Sequence, residues 1–184
     1  MTRHPPVDRR IFTIGHGARP VDELIADLRS AGVRALIDVR TAPGSRRHPE
    51  FGRDALSTAL ASNGIEYEWR KDLGGFRRPR PDSPNTAIRN ETFRGYADHM
   101  SSGDFEAGLR KLEELAGSAP TAVMCAEGDW RRCHRRLIAD VLVGRGWRVL
   151  HILAGSRVER HQTTPFAVGE GVAITYPPAQ QELG

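Results

Sequence analysis

Lysine is almost missing from this chain: Lys71 and Lys111 are the only two among 27 basic residues, the rest being arginine. A GC-rich genome produces the same bias. The planar guanidinium fork nevertheless suits phosphate and carboxylate, which keeps anionic partners in view. With 23 acidic residues the formal net charge is only +4, which demands no polyanion. Two cysteines, Cys125 and Cys133, are too few for a disulfide scaffold, so each is a core filler, a ligand or a reactive thiol. Aromatics amount to 7% and no known nucleic-acid module is present, which counts against sequence-specific reading of nucleic acid. No apolar run approaches the ~20 residues of a membrane span, and Met1 to Pro6 lack the apolar core of a signal peptide. The expected location is therefore the cytoplasm, with no membrane partner. Gly15-His16-Gly17 lacks the third glycine of a dinucleotide fingerprint, and no cofactor is expected.

What is present is ordinary globular material, 184 residues with 39% hydrophobic and 27% charged. Short β-rich runs alternate with segments of helical spacing. Ile11–Ile14, Ala35–Arg40, Ile65–Trp69, Thr121–Cys125 and Trp147–Leu153 read as strands. Helices are predicted from Pro20 to Gly32, near Arg53 to Ser62, around Phe93–Met100 and Phe105–Ala116, and from Trp130 to Val143. This rhythm predicts a three-layer, Rossmann-like α/β domain with a mostly parallel five-stranded sheet. The tail from Gly155 offers an extra edge strand around Val172 to Tyr176. The expected organisation is an N-terminal arm (1–10), one α/β domain (11–153) and a C-terminal extension (154–184) packed on it. Gly74 to Asn90, rich in Arg and Pro, is too long for a simple connection and reads as an irregular lid or binding loop.

In an open parallel sheet, ligands bind beyond the carboxyl ends of the strands. Three strands deliver unusual polar residues there: His16 after the first, Asp38 and Arg40 on the second, Cys125 and Glu127 after the fourth. In the segment from Cys125 to Arg136, Asp129 reads as an N-cap for a helix starting at Trp130. Helical phasing then turns Trp130, Cys133, His134 and Leu137 toward the sheet and Arg132, Arg135 and Arg136 away from it. Cys125 followed by five residues and Arg131 has the spacing of thiolate loops that cradle oxyanions. Glu127 inside that loop would repel phosphate and suits an acid, a base or a hydroxyl-binding group better. A metal reading would use Cys125, Cys133 and His134, with His16 as a further ligand. On a continuous helix Cys133 and His134 diverge by about 100°, and no CxxC or HxxxH pair supports them. No metal site is expected on those grounds, and Cys133 reads as a small core residue.

Taken together, these motifs resemble the family called domain of unknown function 488. The residues that carry the resemblance are Thr13-Ile14-Gly15-His16, Asp38-Val39-Arg40 with Pro43 and Ser45-Arg46, Phe51, and Tyr67 leading to Leu73-Gly74-Gly75. Phe93, Tyr96, Met124-Cys125-Ala126-Glu127, Cys133-His134-Arg135 and His151 complete the set. The resemblance runs over about residues 11–153 and implies a compact α/β domain found mainly in prokaryotes. It implies no activity.

The residues themselves suggest an enzyme, a hydrolase or transferase, acting on a small anionic or nucleotide-like substrate at the sheet edge. In this reading Glu127 and His134 transfer protons, Cys125 is nucleophile or wall, and Asp38 completes the catalytic set. His16, Arg40, Arg46 and Arg131 bind the substrate. One alternative is a nucleic-acid-associated protein using the Arg77–Arg89 loop and the Arg132, Arg135 and Arg136 face. Another is sulfurtransferase- or phosphatase-like chemistry at Cys125.

Overall fold

The computed structural model describes residues 9–44 and 46–178, so most of the N-terminal arm, Ser45 and the end of the C-terminal extension lie outside the described residues. In chain order the chain forms β1 (Arg10–Gly15), α1 (Val21–Ser30), β2 (Ala35–Asp38), α2 (Arg53–Ala61) and β3 (Glu66–Trp69). There follow α3 (Glu91–His99), α4 (Gly103–Ser118), β4 (Thr121–Cys125), α5 (Arg135–Gly144), β5 (Arg148–Leu153) and β6 (Arg157–Arg160). The sheet order is β3-β2-β4-β1-β5-β6, with β6 alone antiparallel. This is the expected Rossmann-like α/β domain with an additional edge strand.

Strand alternation sorts the core into two layers. Phe12, Ile14, Leu36 and Met124 face Leu24 and Leu28 of α1 and Leu56 and Leu60 of α2. Ile11, Ile37, Val39 and Val123 face Tyr96, Phe105, Leu109, Leu137 and Val141 from α3, α4 and α5. Each such side chain, removed from water, contributes roughly 1.5–3 kcal/mol.

Two expectations are corrected. The edge strand is Arg157–Arg160, not Val172–Tyr176, because Gly155 and Ser156, both at positive φ, turn the chain straight back along β5. Of the tail, Thr175 makes one bridge with Val168, and Ile174 and Tyr176 enter the core. The expected helix from Trp130 is broken. Trp130–Arg132 is a 3-10 turn capped by Asp129, Cys133 is extended at φ −123° and ψ 150°, and α5 starts only at Arg135. The Arg/Pro loop is irregular, as expected, and forms a wall against α3. The buried Asp98 carboxylate accepts from Arg80 N, Ser83 Oγ and Asn85 Nδ2, and Asn85 Oδ1 accepts from Tyr176 N.

The topology places the site. From β1 the chain leaves toward β2, and from the adjacent β4 it leaves toward β5, in the opposite direction. Between two such strands a crevice opens at their carboxyl ends. Gly15 and Cys125, the last residues of β1 and β4, are paired across it.

Behind this crevice runs a buried polar chain. Thr13 Oγ1 lies 2.7 Å from His151 Nδ1, His151 Nε2 lies 2.9 Å from His161 Nδ1, and His161 Nε2 lies 2.8 Å from Asp140 Oδ1. Asp140 also accepts from Thr164 N, Thr164 Oγ1 and Tyr176 OH, which anchors the tail to α5. Burial, with repulsion from His161 and Arg135, pushes His151 down to about 2. His16 and His99 are lowered as well, first by burial. Below the unfolded value of about 6.5 the unfolded chain binds protons that these folded rings refuse, so stability falls on acidification. Urea unfolding between pH 7 and 5 should lose up to about 1.4 kcal/mol per pH unit for each such histidine. His151→Gln should flatten that slope by one proton, whereas a flat parent profile would contradict the assignment.

Candidate active site at the strand switch point

The crevice widens into a cavity of 840 Å³. Its walls come from the β1 loop (His16, Gly17), the β2 loop (Arg40, Thr41, Arg47, His48), the wall loop (Gly75, Phe76), α3 (Phe93) and the β4 loop (Cys125 to Gly128). Arg132, Cys133 and His134 close it from the turn before α5.

Of the residues expected at the site, His16, Arg40, Cys125, Glu127 and His134 line this cavity together. Asp38 does not. It is fully buried, and its carboxylate accepts from Arg40 N, Nε and Nη2 and from Tyr67 OH. It fixes Arg40 rather than facing a ligand. Arg46 is exposed and outside the cavity lining, where Arg47 stands instead. Arg131 pairs with Glu159 and Asp129 and lies over Trp130, and its neighbour Arg132 lines the cavity.

His16 donates from Nδ1 to Gly17 O at 2.8 Å and stacks on Phe51 at 4.2 Å. Glu127 is exposed, accepts from Asp129 N at 3.1 Å, and makes no ion pair among the described residues.

The floor holds Cys125, Cys133 and His134. Because the helix breaks at Cys133, the 100° divergence expected of helical neighbours does not apply, and both sulfurs lie 3.8 Å from His134 Nδ1. His134 Nε2–H donates to Val39 O, leaving Nδ1 to meet the sulfurs. Cys133 is buried, as expected of a small core residue, and also lines the cavity.

Arg135, expected to point away from the sheet, is 1% exposed beneath it. Starting the helix at Arg135 rephases it, and the guanidinium reaches Cys133 Sγ at 3.3 Å, Thr13 Oγ1 at 3.3 Å and the Glu127 carbonyl. Gly15 is required there, since a Cβ would collide with that carbonyl and with Arg135. No carboxylate pairs with Arg135 among the described residues, so the Cys133 sulfur is the group able to balance its charge. Donation of its own S–H to the Cys133 sulfur, together with burial, pushes the Cys125 thiol up. Burial also opposes a Cys133 thiolate, but the Cys125 thiol and Arg135 outweigh it and hold Cys133 well below the usual thiol range. The Met124-Cys125-Ala126-Glu127 and Cys133-His134-Arg135 motifs were the signals in the sequence for this cluster.

The sequence model of the domain of unknown function DUF488 matches residues 20–142, two thirds of the chain. The chain belongs to this DUF488 family. Searches of curated proteins and of solved structures find no match. The DUF488 match takes in the β2 loop, the wall loop and the whole Cys125–Arg135 segment, while His16 and His151 fall outside it.

Gly75 packs against the His134 ring so closely that a Cβ would lie 2.5 Å from Nδ1. Gly75→Ala should therefore displace the ring and destabilise the fold by about 1–3 kcal/mol. The Tm and the His134 ring resonances report this, and an unshifted ring would show that the wall loop does not position it.

Proposed function

We propose that this DUF488 protein is an enzyme, a hydrolase or transferase, whose substrate is a small anionic or nucleotide-like molecule bound in the switch-point cavity. The observation that carries the reading is the cavity's composition: a Cys-Cys-His floor beneath a wall bearing Arg40, Arg47 and Arg132. Arg132, which makes no ion pair among the described residues, supplies the positive field, and Arg40, its charge balanced by Asp38, offers a fixed hydrogen-bond donor. Phe76, 79% exposed at the mouth, and Phe93 offer apolar faces to the uncharged part of the ligand. Glu127 supplies a carboxylate for proton transfer to a substrate hydroxyl or water. Thiol chemistry at Cys125 is the narrower form of the same reading, and it requires His134 Nδ1 to take the proton of a thiol that Cys133 and burial hold up.

Titration calorimetry with inorganic phosphate and with a nucleoside monophosphate tests the binding half. Arg132→Ala should weaken anion binding about 10-fold, the worth of one charge-assisted hydrogen bond, while Arg46→Ala and Arg131→Ala leave it unchanged. Equal effects from all three would place the anion elsewhere.

Incubation with a metabolite pool tests the catalytic half. The parent should deplete one anionic component, and Glu127→Gln should slow that depletion by about 10²–10⁴-fold with an unchanged Tm. A stable, fully active Gln variant would remove Glu127 from the mechanism.

A second reading draws on a groove beside the cavity, lined by Arg89, Arg131, Arg132, Arg136 and Phe166 and sharing Phe93, Glu127 and Arg132 with it. A nucleic-acid strand entering the cavity along this groove would show affinity falling steeply with salt, whereas a small ligand would show a shallow dependence. Arg135, buried, takes no part in that face.

A further inference from the structure

We propose that Cys125, Cys133 and His134 form a tetrahedral binding site for one thiophilic cation of the zinc type, with its fourth position open to the cavity. The three ligand atoms lie within 4.8 Å of one another, and both sulfurs are 3.8 Å from Nδ1. A tetrahedral zinc ion has bonds of about 2.3 Å to sulfur and about 2.0–2.1 Å to nitrogen, which sets ligand–ligand edges of about 3.6 Å for S···N and about 3.8 Å for S···S. The two S···N edges are thus within a few tenths of an ångström of that geometry, and the S···S edge, at most 4.8 Å, closes on an ion by a movement of no more than about 1 Å.

The supporting contacts fit the same reading. The Nε2–H bond to Val39 O fixes the ring with Nδ1 toward the sulfurs, the outer partner that metal-bound histidines use. Arg135 donates N–H bonds to Cys133 Sγ from its backbone at 3.5 Å and from Nε at 3.3 Å, which stabilises a thiolate. A soft donor set of two sulfurs and one imidazole selects zinc-type ions over magnesium or calcium.

Charge supplies the link to a ligand. Two thiolates and a divalent cation sum to zero, and the buried Arg135 guanidinium then leaves one positive charge. An anionic oxygen at the fourth position, from hydroxide or from a substrate, restores neutrality. All three protein ligands line the cavity, so that position faces the space where the anion is proposed to bind. The inference does not rest on the enzyme reading, because metal binding is read without substrate.

The test uses the full chain, loaded with Zn²⁺ and separately with Co²⁺ under reducing conditions. One equivalent of Zn²⁺ should bind, and Co²⁺ should give the sulfur-to-cobalt charge-transfer absorption of a tetrahedral thiolate site. Cys125→Ser, the half-exposed ligand and mildest change, should keep the parent circular dichroism and lose at least about 100-fold in affinity, beyond what an outer-shell change costs. Cys133→Ser should weaken the charge-transfer bands, one of the two sulfur ligands being lost. Uptake that is substoichiometric or equal in parent and variants would overturn the proposal. So would a Co²⁺ spectrum without charge-transfer bands, or a Cys125–Cys133 disulfide that persists in the presence of metal and reductant.

Discussion

The arrangement depends on one buried charge. Arg135 sits beneath the ends of β1 and β4 with no carboxylate partner among the described residues, and its guanidinium bonds a sulfur, a hydroxyl and a backbone carbonyl. Burying a charge in this way is costly unless it is balanced and hydrogen-bonded. The structure around it meets that demand. Gly15 gives up its side chain so that the Glu127 carbonyl can approach, Thr13 turns its hydroxyl inward, and the helix starts late so that Cys133 can bring its sulfur alongside. The polar chain through His151 and His161 to Asp140 holds Thr13 from behind and ties the C-terminal segment to the same point.

These constraints also explain why the cavity lies where it does. Opposite exits from neighbouring strands open the crevice, and the wall loop closes one side, packed against α3 at Gly95, where no side chain fits between it and the Arg77–Arg78 backbone. The result is a largely preformed pocket with an apolar face at its mouth and cationic groups around a sulfur-lined floor. That combination suits a ligand with one charged end.

Much of the fold was legible in the sequence because strand and helix periods differ clearly in this chain. The five parallel strands, α1, α2, α3 and α4 follow from that pattern. The helix break at Cys133 was not legible, since nothing in Trp-Arg-Arg-Cys-His-Arg-Arg is a helix breaker and the contacts that accompany the break, His134 to Val39 and Arg135 to Thr13, are distant in sequence. Phasing the segment as one helix sent Arg135 to the surface and separated Cys133 from His134, and both misplacements share that cause. The edge strand was misplaced for a related reason. Arg157–Arg160 carries charges typical of a protected edge, so it lacks the apolar run by which a buried strand is recognised.

The central claim is that the Arg135 guanidinium holds the Cys133 sulfur in place through a direct charged contact. A double-mutant cycle with Arg135→Met and Cys133→Ala, read as unfolding free energy in urea, tests it most directly. The account predicts that Arg135→Met costs about 3–5 kcal/mol and that the pair is coupled by more than about 1 kcal/mol. Costs that add to within about 0.5 kcal/mol would contradict it, because two groups that do not depend on each other contribute independently.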